Sequence, residues 1–367
     1  MSMVEYKKLG EVCTFNRGRT ITAKDAVEGE IPVIAGGQTP SYYHNESNRT
    51  GESITVAGSG AYAGFISYWD QPIFVSDAFT VDPSSLLIHK YLYHWLKRNQ
   101  EKVFATQKGA GVPHVHGKDI ANFLIPIPSL SEQQRIVDIL DTFTSSIDNL
   151  KQQIAQRRKQ YEYYRDQLLD LEGKEEKDIH SWGEFAEMIK GNGVQKVDFV
   201  EDGIGCIHYG QIYTHYGSFT YTTNKFVSKE VFEKARKASK GDIIMTDTSE
   251  NVEDICKSVA YLGEDDIAVS NHALIIKHHQ NPKFLSYSTL TKSFFNQKRK
   301  VVVGVKVSGI KPEHLAQIKI YLPSLDEQQR IVSILDTFEA SVANLETQLA
   351  LREKQYEYYR NKLLTFE

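Results

Sequence analysis

The chain has 367 residues, 41% of them hydrophobic and 25% charged, a balance that excludes a disordered tail or a fibrous repeat and predicts a globular protein. At this length two domains of ordinary size are expected, each with its own core. A formal net charge of -4 excludes a uniformly basic surface. Any contact with a polyanion must then come from local clusters such as Lys7/Lys8, Arg17/Arg19, Lys234/Arg236/Lys237/Lys240 and Lys298/Arg299/Lys300.

No apolar run approaches bilayer length, and the opening MSMVEYKKLGEV lacks the apolar core of a secretory signal, so a cytoplasmic protein is expected. Cys13, Cys206 and Cys256 are scattered and odd in number, which fits a reducing compartment better than a disulfide framework or a zinc site.

In chain order, residues 1–128 read as a first α+β domain, with β-rich runs ESITVAG and PIFVSDAFTV beside a helical stretch from Leu92 to Phe104. Residues 129–172 read as one long helix. Ile136, Leu140, Phe143, Ile147, Leu150 and Ile154 alternate four and three apart, and Arg157, Tyr161, Tyr164, Leu168 and Leu171 continue the heptad seam. Ser131 is the expected N-cap, in capping-box spacing with Gln134. The charged linker 173–178 has nothing to bury. Residues 179–323 form a second α+β domain, with strands in GDIIMTD and HALIIKH and a helix over Lys229 to Ala238.

Residues 324–367 repeat the long helix, with seam positions Ile331, Leu335, Phe338, Val342, Leu345, Leu349, Arg352, Tyr356, Tyr359, Leu363 and Phe366 and an expected N-cap at Asp326 before Gln329. Without a gap, 30 of the 45 positions from Pro128 to Glu172 are identical to those from Pro323 to Glu367. A fainter match joins the starts of the halves, as in Gly37-Gln38 and Gly210-Gln211, while the middles diverge.

A helix of about 40 residues spans roughly 60 Å at 1.5 Å per residue, too long for either domain to cover. The two copies are expected to cover each other's seams as an antiparallel coiled coil related by a pseudo-two-fold axis, with the divergent domains at opposite ends. Off the seam, Glu132, Gln133, Gln134, Arg135, Tyr163 and Arg165 recur as Glu327, Gln328, Gln329, Arg330, Tyr358 and Arg360. Solvated positions should drift after duplication, so these twelve are candidates for docking two identical partners.

Autonomous catalysis finds little support. The chain has no phosphate loop, zincin helix or nucleophile elbow. Gly58 to Gly64 lacks dinucleotide-binding spacing, and Asn281-Pro282-Lys283-Phe284 departs from the adenine-methyltransferase signature at Lys283 and reads as a turn. His114, His116, His278 and His279 lack companion ligands at metal spacing.

PSLSEQQRIVDILD and PSLDEQQRIVSILD with their helices, the opening KLGEVCTFNRGRTIT, and GSGAYAGFISYW followed by PIFVSDAFTV resemble the specificity subunit of type I restriction-modification systems over essentially the whole chain. The resemblance implies a non-catalytic subunit whose two target-recognition domains each read one half of a split DNA site. It further implies that the helices act as spacer and dock two methyltransferase subunits, while a motor-nuclease subunit joins for cleavage. S-adenosylmethionine, ATP and Mg would then belong to those partners, with no cofactor in this chain. A coiled-coil adaptor without DNA, or the specificity half of a related assembly outside type I, remain the alternatives.

Residue types suited to base edges or phosphate nominate Arg17, Arg19, Gln38, Tyr42, Tyr43, Ser59, Tyr62, Lys108 and His114 in the first domain. In the second they nominate Lys190, Asn192, Gln195, Tyr209, Gln211, Thr246, Thr248, Lys298 and Arg299. Gln38 and Gln211, common to both halves, are also candidates for a structural role.

Overall fold

A computed structural model describes residues 4–302 and 308–366. It resolves into two compact units, Met1–Gln152 with Glu346–Glu367, and Gln153–Leu345. The division falls inside both long helices, Leu130–Leu169 and Leu325–Leu363, so each unit contains part of each.

The first unit is built on an antiparallel sheet in the order Cys13–Arg17, Ala78–Pro83, Ser53–Ala57, Ile66–Trp69. A smaller sheet orders Tyr42–His44, Ile31–Ile34 and Phe74–Val75. All five side chains of Ser53–Ala57 are buried, as expected of a central strand covered on both faces. Helix His89–Arg98 buries Tyr91, Leu92, Trp95 and Leu96 in a core that also takes in Ile136 and Leu140 of the first long helix and Leu364 just past the second. The predicted stretch from Leu92 is thus two helices, since Asn99 ends the first and Gln100–Phe104 starts anew.

The second unit repeats this frame with more strands. One five-stranded sheet runs Ala186–Lys190, Ala273–His278, Ile243–Thr246, Ser258–Tyr261, Phe219–Thr220, and another runs Phe199–Val200, Lys225–Val227, Ile204–Ile207, Ile267–Val269, Arg236–Ala238. The helix expected over Lys229 to Ala238 stops at Lys234. Residues Arg236–Ala238 pair with Ile267–Val269 instead, which buries Ala238. Asn281-Pro282-Lys283-Phe284 is a helix start rather than a turn: the Asn281 side chain accepts from the Phe284 N–H, with Pro282 at the first helical position.

Both long helices begin one residue before the expected N-cap. The Glu132 N–H donates to Ser129 Oγ at 3.3 Å and the Glu327 N–H to Ser324 Oγ at 3.4 Å, so the capping serines are Ser129 and Ser324, not Ser131 and Asp326.

Within each unit the helices run antiparallel, seam against seam. Phe143 stacks on Tyr359 in the first unit, and Phe338 on Tyr164 in the second. Arg352 lies over Phe143 and Arg157 over Phe338, so the two Arg positions of the seam cap rings rather than interrupt an apolar stripe.

Each unit also fastens one domain helix to the long helices through matched polar groups. In the first, Lys90 Nζ reaches Asp141 at 2.6 Å, and His94 bridges Asp141 (2.9 Å) and the Tyr356 hydroxyl (3.0 Å). In the second, Lys283 reaches Asp336 at 2.8 Å, and the Tyr287 hydroxyl donates to Asp336 at 2.7 Å while lying 3.0 Å from Glu339. Cys13, Cys206 and Cys256 are all buried, and burial pushes their thiols up to about 12. No helix among the described residues is long and apolar enough to cross a membrane.

Candidate DNA-reading faces and docking residues

In the first unit the loops after three strands meet at one end of the sheet. The Gly60 N–H donates to the Pro113 carbonyl, Ser59 bridges to His114, and Lys108 bridges to His114 across a hairpin. Gly36 packs so closely that a Cβ there would sit 2.2 Å from the Ser59 carbonyl oxygen. These contacts gather Ser59, Lys108 and His114 with Arg17, which shares with His114, His116 and Asp77 a cleft of about 140 Å³ floored by Phe15 and Phe79. The Ser59 hydroxyl donates to Asp77.

The other nominated residues of this unit are less uniform. Arg19 lies over Phe74 with a loose ion pair to Glu46 at 3.9 Å, and Gln38, Tyr43 and Tyr62 are exposed. Tyr42 is half-buried and its hydroxyl donates to the Ile21 carbonyl at 2.5 Å, a fold contact that leaves it poorly placed to read a base. Lys108 is ion-paired with Asp119, whose carboxyl stays below its usual range: burial alone would raise it, but the bonds from Lys108 and His116 prevail.

The second unit corrects several expectations. Gln211, Thr246 and Lys298 are buried. Gln211 accepts from the His208 N–H at 2.8 Å and donates to Asn224. Thr246 turns its hydroxyl toward the Asp254 and Lys257 carbonyls, and Lys298 donates its ammonium to the Glu253 and Ile255 carbonyls at 3.0 and 2.8 Å. Burial lowers the Lys298 pKa, and the group stitches a loop to its helix, out of reach of a phosphate. Gln211 and the exposed Gln38 therefore do different things despite their matched sequence positions.

Tyr209 and Thr248 line an open cleft of about 510 Å³ with Tyr213, Ser249, Asn251 and His272, and this cleft is the second unit's counterpart face. Lys190, Asn192, Gln195 and Arg299 are exposed; Asn192 accepts from the Arg236 N–H, and Lys190 pairs with Asp247 at 3.0 Å. Asp77, His116, Tyr213 and His272 escaped sequence reasoning. They line the two clefts, and they come together only once the strands are in register.

The twelve docking candidates also divide. Gln133 and Gln328 are fully buried. Gln133 donates to the Leu86 and Pro128 carbonyls at 2.9 and 3.0 Å and accepts from the Ile88 N–H at 2.9 Å. Gln328 repeats this with Gln280 Oε1, the Pro323 carbonyl and the Asn281 N–H at 2.9, 2.8 and 3.0 Å. Their recurrence reflects the need to satisfy the same buried loop groups, so both are withdrawn as docking residues. Glu132 and Arg135, like Glu327 and Arg330, form exposed fork-shaped pairs one turn apart, in which the arginine bond holds each glutamate below its usual range.

Gln134 donates to Asp138, and Gln329 accepts from Asn281. Tyr163 and Tyr358 are each 60% exposed, while Arg165 pairs with Asp166 and Arg360 lies over Tyr356.

Comparison with known proteins places this geometry. The family model described as type I restriction modification DNA specificity domain matches residues 1–157 and 204–351. A putative type I restriction enzyme specificity subunit of Haemophilus influenzae is 27% identical over 100% of this chain and 96% of its own length. The EcoR124I/EcoR124II specificity subunit of Escherichia coli is 29% identical over 99% and 94%. Among solved structures, the type I restriction-modification S subunit of M. genitalium superposes with a TM-score of 0.64 at 18% identity, covering 99% of this chain and 97% of that one. The fold is the same. With a family model covering most of its residues, the chain belongs to the type I restriction modification DNA specificity family and is a DNA sequence specificity subunit.

Proposed function

We propose that the chain reads a bipartite, asymmetric DNA site in the cytoplasm, one domain per half, and performs no catalysis itself. Two methyltransferase subunits dock on the exposed pairs Glu132/Arg135 and Glu327/Arg330 and on Tyr163 and Tyr358. Motor-nuclease subunits complete the assembly, and S-adenosylmethionine, ATP and Mg are bound by those partners. The observation that carries this reading is the duplication itself: a near-identical helix in each half frames two sheets whose loop faces carry different residues. A protein that keeps its frame and varies its faces is suited to reading two unlike sequences at a set spacing.

Methylome sequencing of cells with and without the chain tests it, and loss of one split methylation motif is the expected result. Lengthening both long helices by one or two turns should then widen the unread gap and leave each half-site intact. An unchanged methylome removes the reading, and an unchanged gap removes the spacer role.

A further inference from the structure

The two units place different chemistry at one matched position. In the first, Arg17 pairs with Phe79 across the sheet, one residue beyond Ala78; in the second, Lys190 pairs with Leu274, one residue beyond Ala273. Ala57 lies opposite Ala78 and Thr246 opposite Ala273, so Gly58 and Asp247 are the next residues on the central strands. Asp247 is buried and holds Lys190 at 3.0 Å. Gly58 offers no such acid, and the exposed Arg17 guanidinium has no hydrogen-bond or ion-pair partner among the described residues. Between the serine and alanine of the neighbouring strand the first unit has one residue, Asp77. The second has two, Asn271 and His272, the latter turned to a φ of 65° to absorb the extra length.

We propose that Arg17 and Asp77 together read one G·C base pair in the half-site of the first unit, and that the matched position of the second unit makes no such contact. This rests on the DNA-reading function above. An arginine offers two parallel donors to guanine O6 and N7, and a carboxylate accepts from the cytosine N4 amino group, so the pair is complementary to the major-groove edge of G·C. The carboxylate also weighs against the simpler role of a phosphate anchor, since it would repel the phosphate that Arg17 held. Asp77 is oriented for the task by the Ser59 hydroxyl, and strand pairing fixes the backbone of Arg17, whose carbonyl also accepts from Arg49. In the second unit the cation is spent on a buried carboxylate, and Asn271 accepts from the Gly193 N–H.

The test is selection from a randomised duplex library by the full chain assembled with the methyltransferase subunits of its host system, comparing wild type with Arg17→Ala, Asp77→Asn and Lys190→Ala. Arg17→Ala is expected to lower the preference for G·C at one position of one half-site by about tenfold to a hundredfold, with the other half-site unchanged. Asp77→Asn should relax the same position, and Lys190→Ala should change neither motif. Thermal melting of Arg17→Ala should match wild type, because the side chain is exposed. Uniform weakening across all sequences with a reduced salt slope would make Arg17 a phosphate contact and overturn the proposal, as would an unaltered motif. Absence of any split motif with the wild-type assembly would instead defeat the DNA-reading function itself.

Discussion

The rings of Phe143 and Tyr359 stack with centroids 5.2 Å apart and planes 23° from parallel, and the equivalent Phe338 and Tyr164 repeat the arrangement at 5.4 Å and 27°. Each unit thus carries its own copy of the same cross-helix contact. Tyr359→Ala and Tyr164→Ala should each destabilise the unit that holds them by about 1–2 kcal/mol, since both rings are partly solvated and only part of a full aromatic deletion is lost. Chemical denaturation followed unit by unit checks this, and a large effect at one tyrosine with none at the other would show that the copies are not equivalent.

Gln133→Leu and Gln328→Leu provide a second test. Each removes a buried amide that satisfies three groups of a loop, and each should cost about 2–3 kcal/mol, because the stranded carbonyls and N–H stay out of water. Arg135→Ala and Arg330→Ala break exposed pairs and should leave stability nearly unchanged. If the arginine variants instead abolish co-purification of the methyltransferase while the protein stays folded, docking at these pairs is supported.

Glu339 is largely buried, which raises its pKa above the ordinary 4.5 despite hydrogen bonds from Tyr287, Ser218 and Tyr161. A carboxylate raised on folding weakens the unit above its folded pKa, and the penalty fades as pH falls toward 4.5. Glu339→Gln keeps an acceptor for Tyr161 and Ser218 without the charge. It should stabilise the second unit at neutral pH and flatten its pH dependence in that window. Denaturant midpoints across the window measure both effects, and a destabilised variant at neutral pH would mean the charge is needed.

His278 behaves in the opposite sense. Burial lowers its pKa from 6.5 to about 4, and its Nε2 has no hydrogen-bond partner among the described residues. The unfolded chain therefore takes up a proton that the folded chain refuses. The second unit should lose roughly 3 kcal/mol as pH falls from 6.5 to 4, and His278→Gln should remove that loss. The first unit carries Pro83 at the corresponding strand position and should lack this acid sensitivity.

The long helices were legible because a heptad of large apolar residues leaves a periodic trace, and the duplication made each copy a check on the other. The central strands were legible for the related reason that buried strands read as largely apolar runs such as SITVA and the ALII of ALIIKH. The candidate faces were only partly so. Lys298 and Arg299 are neighbours of like charge, yet one turns inward to loop carbonyls and the other outward, a difference of helix phase that composition does not record. Gln133 misled in the other direction, since retention of a polar residue in both copies is equally the mark of a buried amide with a fixed set of partners. Asp77 carried no signal of its own until the fold set it in one cleft with Arg17.

The three inward-facing cysteines turn the molecule into its own gauge of opening. A thiol shielded from solvent and held protonated reacts slowly with alkylating reagents, so modification must await exposure of the strand or loop that bears it. Cys13 lies in the amino-terminal unit and Cys206 and Cys256 in the other, and mass spectrometry of labelled peptides would clock each unit's breathing separately, with no engineered probe.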